Sequence, residues 1–213
     1  MSLPSLIPKP PESDDLGDAF RHPGRRMSED EFLEWCGPKT RAEWVDGEVI
    51  MMAPVSFRHA DLSAWLMGVV RGFIRRNDLG IAVGGEFFVR LTGQRRLPDI
   101  LFVSKSRMGI LRKNHLEGAP DLVMEVVSPE SVARDWREKY IDYERAGVAE
   151  YWVVDPMSQR AEIYRLVDGK YSPHPEEDGK LTAQIIPGFY LRTEWLWQQP
   201  LPAELEVLRE LDV

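Results

Sequence analysis

Apolar positions along this chain change period several times, and each change marks an element. Across residues 59–76, Leu62, Trp65, Leu66, Val69, Val70, Phe73 and Ile74 recur at three- and four-residue spacing. A single stripe at that period predicts an amphipathic helix, with His59 on its edge. Four shorter runs follow, over 86–91, 99–103, 122–128 and 150–154, and these read as strands. The middle two are almost continuously apolar, as strands covered on both faces are. A further helix is predicted over 129–146. Ser128 suits its cap, Pro129 its first turn, and Gly147 the position just past its end. Strand, helix and strand at this length form a βαβ unit whose two strands run parallel.

Turn chemistry fills in the rest. Residues 41–52 read as a β-hairpin around Asp46-Gly47, a pair that tolerates positive φ, and 161–171 as a second hairpin around Asp168-Gly169. A short helix begins after Ser28, with Glu31 placed to complete a capping box and Phe32 and Trp35 on its apolar side. Residues 1–26 carry five prolines with Ser and Asp between them and no apolar period, which predicts a flexible arm ahead of a single domain over 27–213.

Composition narrows the class. The 213 residues suffice for one full-sized core, and 43% hydrophobic with 29% charged residues is ordinary for a soluble globular protein. No stretch approaches the roughly 20 apolar residues of a membrane span. The single Cys36 excludes an internal disulfide and a cysteine zinc cage, so a reducing cytoplasm is the expected compartment. A net charge of -8 speaks against a protein that coats nucleic acid by charge alone, but leaves room for a local basic groove. Arg71, Arg75 and Arg76, the pair Arg95-Arg96, and Lys105, Arg112 and Lys113 are the candidates for that groove, each of them otherwise a solvated basic face.

Chemistry concentrates where charge interrupts apolar runs. Asp99 opens one strand, and Glu125 sits inside another between Val123 and Val127, which share its face. On a helical wheel of about 100° per residue, Val132, Trp136, Tyr140 and Tyr143 share a face and Lys139 lies among them. An ionised group in an apolar layer costs several kcal/mol, or roughly more, unless it is paired or binds a metal. Two readings stand for each residue. Lys139 snorkels to water or joins a site; Glu125 pairs structurally or serves chemistry. Together the trio makes sense as a metal site, because two carboxylates on neighbouring strands can hold Mg²⁺ while a lysine offsets phosphate charge or acts on the attacking water. Ser128 with Lys139 would suit a Ser-Lys hydrolase, but its capping context explains Ser128 more simply. His59 makes a structural hydrogen bond or touches a phosphate or the metal-bound water.

The order Glu43, Asp46-Gly47-Glu48, Ala53-Pro54, His59, Pro98-Asp99, Gly118-Ala-Pro-Asp-Leu-Val-Met-Glu-Val-Val-Ser-Pro129, Lys139, Tyr143 and Gly147-Val-Ala-Glu-Tyr-Trp-Val-Val-Asp155 resembles the Uma2 family of restriction endonucleases, over about residues 28–196. That family is assigned to the PD-(D/E)XK nuclease superfamily. The resemblance implies an α/β fold, a mixed central sheet flanked by helices with added hairpins. It implies Asp99 and Glu125 as metal-binding carboxylates, with the Val126 carbonyl as a further ligand and Mg²⁺ or Mn²⁺ as the ion. The superfamily pattern places its lysine two residues after the second carboxylate, where this chain has Val127. Lys139 on the next helix would replace it, provided that helix packs over the carboxylate end of the sheet. Glu43 would be an additional acidic member, its other reading being an exposed strand residue, and Tyr143 would pack against the lysine.

The expectation is therefore a metal-dependent DNA endonuclease, with Asp99, Glu125, Lys139 and Glu43 as its machinery. Cleavage of both strands would suit a symmetric homodimer joined through Trp-rich hairpins. Two other classes stay open: a catalytically degenerate nuclease fold that binds nucleic acid or protein, and a hydrolase of another phosphate ester.

Overall fold

The long helix and the apolar strands lie where their periodicity puts them, and shorter strands assemble a second sheet around them. The computed structural model describes residues 26–37, 40–129 and 131–212, so the arm expected over 1–26 lies outside the described residues apart from Arg26. In chain order the elements are α1 (Glu29–Trp35), β1 (Ala42–Val45), β2 (Glu48–Met51), α2 (Phe57–Arg76), β3 (Gly80–Val83), β4 (Phe88–Leu91), β5 (Gln94–Arg96), β6 (Ile100–Ser104), β7 (His115–Glu117) and β8 (Leu122–Val126). A π-helical turn (Arg134–Glu138) then leads into α3 (Lys139–Ala146). After it come β9 (Glu150–Asp155), β10 (Arg160–Val167), β11 (Lys170–His174), β12 (Lys180–Thr182), β13 (Tyr190–Arg192) and α4 (Glu204–Glu210).

The larger sheet has strand order β11-β10-β9-β8-β6-β3 and the smaller β2-β1-β5-β4-β7, with β12 and β13 paired separately. As expected, β8 and β9 run parallel, with Glu125 opposite Val153. Pleating sends alternate residues of the three central strands to opposite faces. Ile100, Phe102, Leu122, Met124, Val126, Trp152 and Val154 join the stripe of α2 in one core. Leu101, Val103, Val123, Val127, Tyr151 and Val153 join Tyr143 of α3 in the other. This two-sided cover is why the central strands read as unbroken apolar runs. It gives a mixed α/β architecture of sheets flanked by helices.

Local chemistry closes the elements. Ser28 and Glu31 form the capping box of α1 in full. Asp46 and Gly47 take φ 47° and 93°, the left-handed pair a two-residue hairpin needs. Helix α2 carries Gly68 and Gly72, each costing about 1 kcal/mol of helix propensity. Full burial of one Leu or Phe returns about 1.5–3 kcal/mol, and the glycines let α4 approach, since a Cβ at Gly72 would lie 2.8 Å from Leu208. The C-terminal segment holds α2 further, accepting from Trp65 Nε1 at the Pro202 carbonyl (2.7 Å) and from Arg58 at the Leu196 carbonyl (2.6 Å).

The structure departs from the sequence reading in three ways. The helix expected over 129–146 is interrupted by the π turn. Strands β3, β5 and β7 escaped notice because three or four residues display no period. Val132, placed by the wheel on the buried face of the helix, is 40% exposed.

Backbone packing ties this fold to residue 99. Gly84 follows β3, and a Cβ there would collide with the carbonyl oxygen of Asp99. Gly84→Ala should lower unfolding free energy by about 1–3 kcal/mol, whereas Gly109→Ala, with open space around it, should change it little. Urea denaturation of the two variants checks this, and equal stabilities would show that the Asp99 segment yields without cost.

Candidate active site

The βαβ unit and the first hairpin converge on one cleft of about 30 Å³, lined by Arg41, His59, Asp99, Glu125, Val126, Ser131, Arg134, Asp135 and Lys139 among others. Asp99 ends the loop before β6, one step past the Ile100–Met124 pair and so beside Glu125. Its Oδ2 accepts from the Val126 amide at 2.8 Å. Parity puts Glu125 on the α3 side of the sheet, 2% exposed. There Lys139 Nζ lies 2.8 Å from Glu125 Oε2, and the Tyr143 hydroxyl donates to Oε1 at 2.9 Å. Lys139 is 1% exposed, so it does not snorkel. Its ammonium also sits 3.3 Å from Asp135 and 3.7 Å from Glu43.

The π turn explains how Lys139 gets there. The Lys139 amide bonds the Arg134 carbonyl five residues back. That leaves the Asp135 carbonyl, which an α-helix would use, free to accept from the buried Tyr151 hydroxyl at 2.8 Å. A side chain has entered the helical ladder and stretched it by one residue. The inward face consequently holds Ser131, Arg134, Asp135, Lys139 and Tyr143, all buried. This corrects the wheel at Val132, whereas Trp136 and Tyr140 are partly buried against the core as the wheel placed them.

Glu43 is fully buried on β1, not an exposed strand residue. Arg96 donates to it at 2.8 Å and the Leu97 amide at 2.9 Å. Arg96 also pairs with Asp142 of α3. Burial pushes the Glu43 carboxyl up, but Lys139, Arg96 and Arg134 outweigh it and hold it at about 2. For Glu125 the balance reverses. Burial is the largest influence, Lys139 opposes it, Asp99 and Asp135 reinforce it, and the carboxyl is pushed up to about 8. Asp135 is raised for the same leading reason. Burial disfavours the Lys139 ammonium, yet Glu125, Glu43 and Asp135 prevail and raise it above the ordinary lysine range. Burial likewise raises the Tyr143 phenol, keeping it a donor.

His59, at the start of α2, brings Nε2 to 3.4 Å from Asp99 Oδ2. The proposed basic groove is not at this cleft. Arg71, Arg75 and Arg76 are exposed toward the other end of α2, and Arg75 lies about 24 Å from His59 at ~1.5 Å per residue. Exposed Lys105 pairs with Asp78 near that same end, Arg112 bonds the carbonyls of Gly109 and Leu111, and Lys113 is exposed. Arg95 and Arg96 are a correction. Both are buried on β5, in ion pairs with Glu29 and with Glu43 and Asp142. Sequence reasoning missed Asp135, Arg134 and Arg41. The first two sit in a stretch that looks like a solvated helix, although Asp135 four residues before Lys139 is a spacing that signals a pair.

The family profile for Uma2, described as "Putative restriction endonuclease", matches residues 29–194. The chain belongs to the Uma2 family. No match was found among curated proteins. Among solved structures, a protein from Anabaena variabilis ATCC 29413, described as "a putative nuclease belonging to DUF820", aligns with a TM-score of 0.70 at 19% identity, over 80% of this chain and 97% of that one. That likeness shows the restriction-endonuclease-like fold. Within it this Uma2 chain has Val127 two residues after Glu125, and an ammonium reaches Glu125 from α3 instead. Among the described residues, no three His, Cys, Asp or Glu side chains are grouped so as to hold a metal, and no helix is long and apolar enough to cross a membrane.

The raised carboxyl makes a pH test possible. Glu125 binds its proton more tightly folded than at its ordinary 4.5, so its contribution to stability is complete below about pH 4.5 and is lost as pH rises through about 8. Without divalent metal, unfolding free energy should fall between pH 5 and 8 by up to about 1.4 kcal/mol per pH unit for each carboxyl involved. Glu125→Gln keeps the neutral shape, so that variant should match wild type at pH 5 and exceed it at pH 8. The residual slope would belong to Asp135. Glu43, held low, adds stability that is constant over this window. An equally steep fall in Glu125→Gln, measured by urea denaturation in EDTA, would show Glu125 ionised throughout.

Proposed function

We propose that this Uma2 protein is a divalent-metal-dependent endonuclease that hydrolyses phosphodiester bonds of DNA. One observation carries the reading: Asp99, Glu125 and Lys139, far apart in sequence, converge in a single cleft with Glu43 and Asp135 behind them.

The donor set fits a hard cation. Asp99 and Glu125 offer carboxylate oxygens on adjacent strands. Val126 has its side chain in the core and so turns its main chain to the cleft. Mg²⁺ and Mn²⁺ accept such oxygen ligands, and Mg²⁺ characteristically keeps several waters, which suits a site with few protein ligands. Asp99, Glu125 and the Val126 carbonyl would hold the metal, which supplies phosphoryl polarisation and a more acidic bound water.

The chain's own groups do the rest. Lys139, an ammonium donor already seated against Glu125, is placed to orient the attacking water or offset charge gathering on phosphate oxygens. Glu43 and Asp135 hold it in position. Tyr143 and the Val126 amide each occupy one lone-pair direction on Glu125 and Asp99 and so orient the remaining ones. The remaining reading, a catalytically degenerate nuclease fold that binds nucleic acid or protein, draws support from the acidic charge of -8.

Two measurements separate these. Supercoiled plasmid should be nicked in Mg²⁺ or Mn²⁺ and not in EDTA, and Lys139→Ala should lower the rate by at least about 100-fold, the scale of removing one transition-state donor. Millimolar Mn²⁺ should raise Tm, and Asp99→Asn should remove that rise, because a ligand that binds only the native state stabilises it by mass action. A protein that neither nicks plasmid nor responds to Mn²⁺ is the binding module.

A further inference from the structure

Every carboxylate in the cleft is already engaged. Glu43 accepts from Arg96 and Leu97, Glu125 from Lys139 and Tyr143, Asp135 from Ser131, and Asp99 from Val126. Two donors in the same cleft are not. Arg134 is 9% exposed, yet its Nε has no hydrogen-bond partner among the described residues. Arg41, half-buried and lining the same cleft from the segment before β1, has an equally orphaned Nε. Buried guanidinium donors without acceptors are costly, and each such group calls for a partner from outside the fold.

The space around them describes that partner. At about 30 Å³ the cleft is too narrow for a nucleotide. Arg41 and Leu97, however, also line an adjoining pocket of about 240 Å³ with Cys36, Gly37, Thr40, Glu86 and Phe88. A constriction flanked by guanidiniums and opening past one of them into a wider space suits a phosphate joined to something larger. Guanidinium forks match phosphate oxygens in geometry and charge, and they do so better than ammonium groups. The π turn contributes here too, since it lines Arg134 up with Lys139 five residues on.

We propose that Arg134 and Arg41 form a guanidinium clamp that grips a phosphate of the nucleic-acid backbone beside Glu125 and Lys139, with the flanking nucleoside in the adjoining pocket. The clamp rests on the nuclease reading, because it supplies the substrate grip that reading needs. It also accounts for binding at this site by a protein of net charge -8, as the attraction is local.

The test reads binding without cleavage. Fluorescence anisotropy with a labelled 20-base-pair duplex in EDTA, across 25–200 mM KCl, compares wild type with Arg134→Ala, Arg41→Ala, Arg134→Lys and, as a control, Arg209→Ala on the exposed side of α4. Each alanine change in the clamp should weaken binding about tenfold and reduce the slope of log affinity against log salt by about one, the signature of one lost phosphate contact. Arg134→Lys should keep the slope and lose part of the affinity. Arg209→Ala should do neither. Arg134→Ala removes an unpartnered Nε but also a positive charge beside Glu43 and Asp135, so its Tm is measured alongside; if it fails to fold, Arg41→Ala and Arg134→Lys carry the test. Unchanged slopes in all clamp variants, or no duplex binding by wild type in low salt, overturn the clamp. So does a loss confined to reversal of Arg75 and Arg76. The two readings fail separately. Plasmid nicking that depends on Lys139 but not on Arg134 or Arg41 leaves the nuclease and removes the clamp. Duplex binding that depends on Arg134, in a protein that nicks nothing, leaves the clamp and removes the nuclease.

Discussion

The buried ammonium of Lys139 is the contact on which the rest of this site depends. It faces Glu125 from the larger sheet, Glu43 from the smaller one, and Asp135 from its own helix. Each of those carboxylates was taken out of water at a cost of several kcal/mol, and without a cation among them they would repel one another as well. Arg96 extends the same logic by joining Glu43 to Asp142. Charge pairing therefore does here what apolar packing does elsewhere in the molecule. It locks α3 against the ends of two sheets that already share a core, in which Val89, Leu91 and Leu116 of the smaller sheet pack with Leu101, Val123 and Val153 of the larger. Buried ion pairs are poor sources of net stability compared with apolar replacements. Their concentration around Lys139 fits the metal-dependent role proposed for these groups.

Some of this was legible in the sequence. Glu125 stood out because a strand buried on both faces has no place for a carboxylate. Lys139 stood out for an analogous reason, although the wheel that singled it out put Val132 on the wrong side. The error has a physical source: helical wheels assume a constant angular step, and Tyr151 breaks that step by bonding the Asp135 carbonyl. Tyr151 lies sixteen residues further on, on another strand, so nothing local announces it. Arg134 and Ser131 were illegible for the same reason, since their stretch has the polar look of a solvated helix. The smaller sheet was half visible. Its first hairpin has a turn signature, but β5 is three residues long and carries two arginines, and only tertiary pairing makes it a strand. The same pairing turned Arg95 and Arg96 from surface candidates into buried partners of Glu29 and Glu43.

Membership of the Uma2 family gives this arrangement its context, and the chain departs from the wider nuclease pattern in a way the geometry makes sensible. A lysine two residues beyond Glu125 would share its face of β8, where Val127 instead packs with Tyr143 and Tyr151. Supplying the ammonium from α3 frees that position for the core. It also means that sheet and helix must dock before charge and carboxylate meet. Tyr143, which bonds Glu125 from one turn beyond Lys139, joins them in that docking.

The stretched turn before α3 carries a consequence of a different kind. It holds one residue more than ordinary winding takes, and that extra residue is what frees the Asp135 carbonyl for the Tyr151 hydroxyl. An exposed position within the turn, such as Arg137, can change its side chain and leave that count alone. Losing a single residue there would let ordinary helical winding return and take the Asp135 carbonyl back into the ladder, so the bond from Tyr151 would be lost. Length, more than side-chain identity, is the inheritance this segment has to protect.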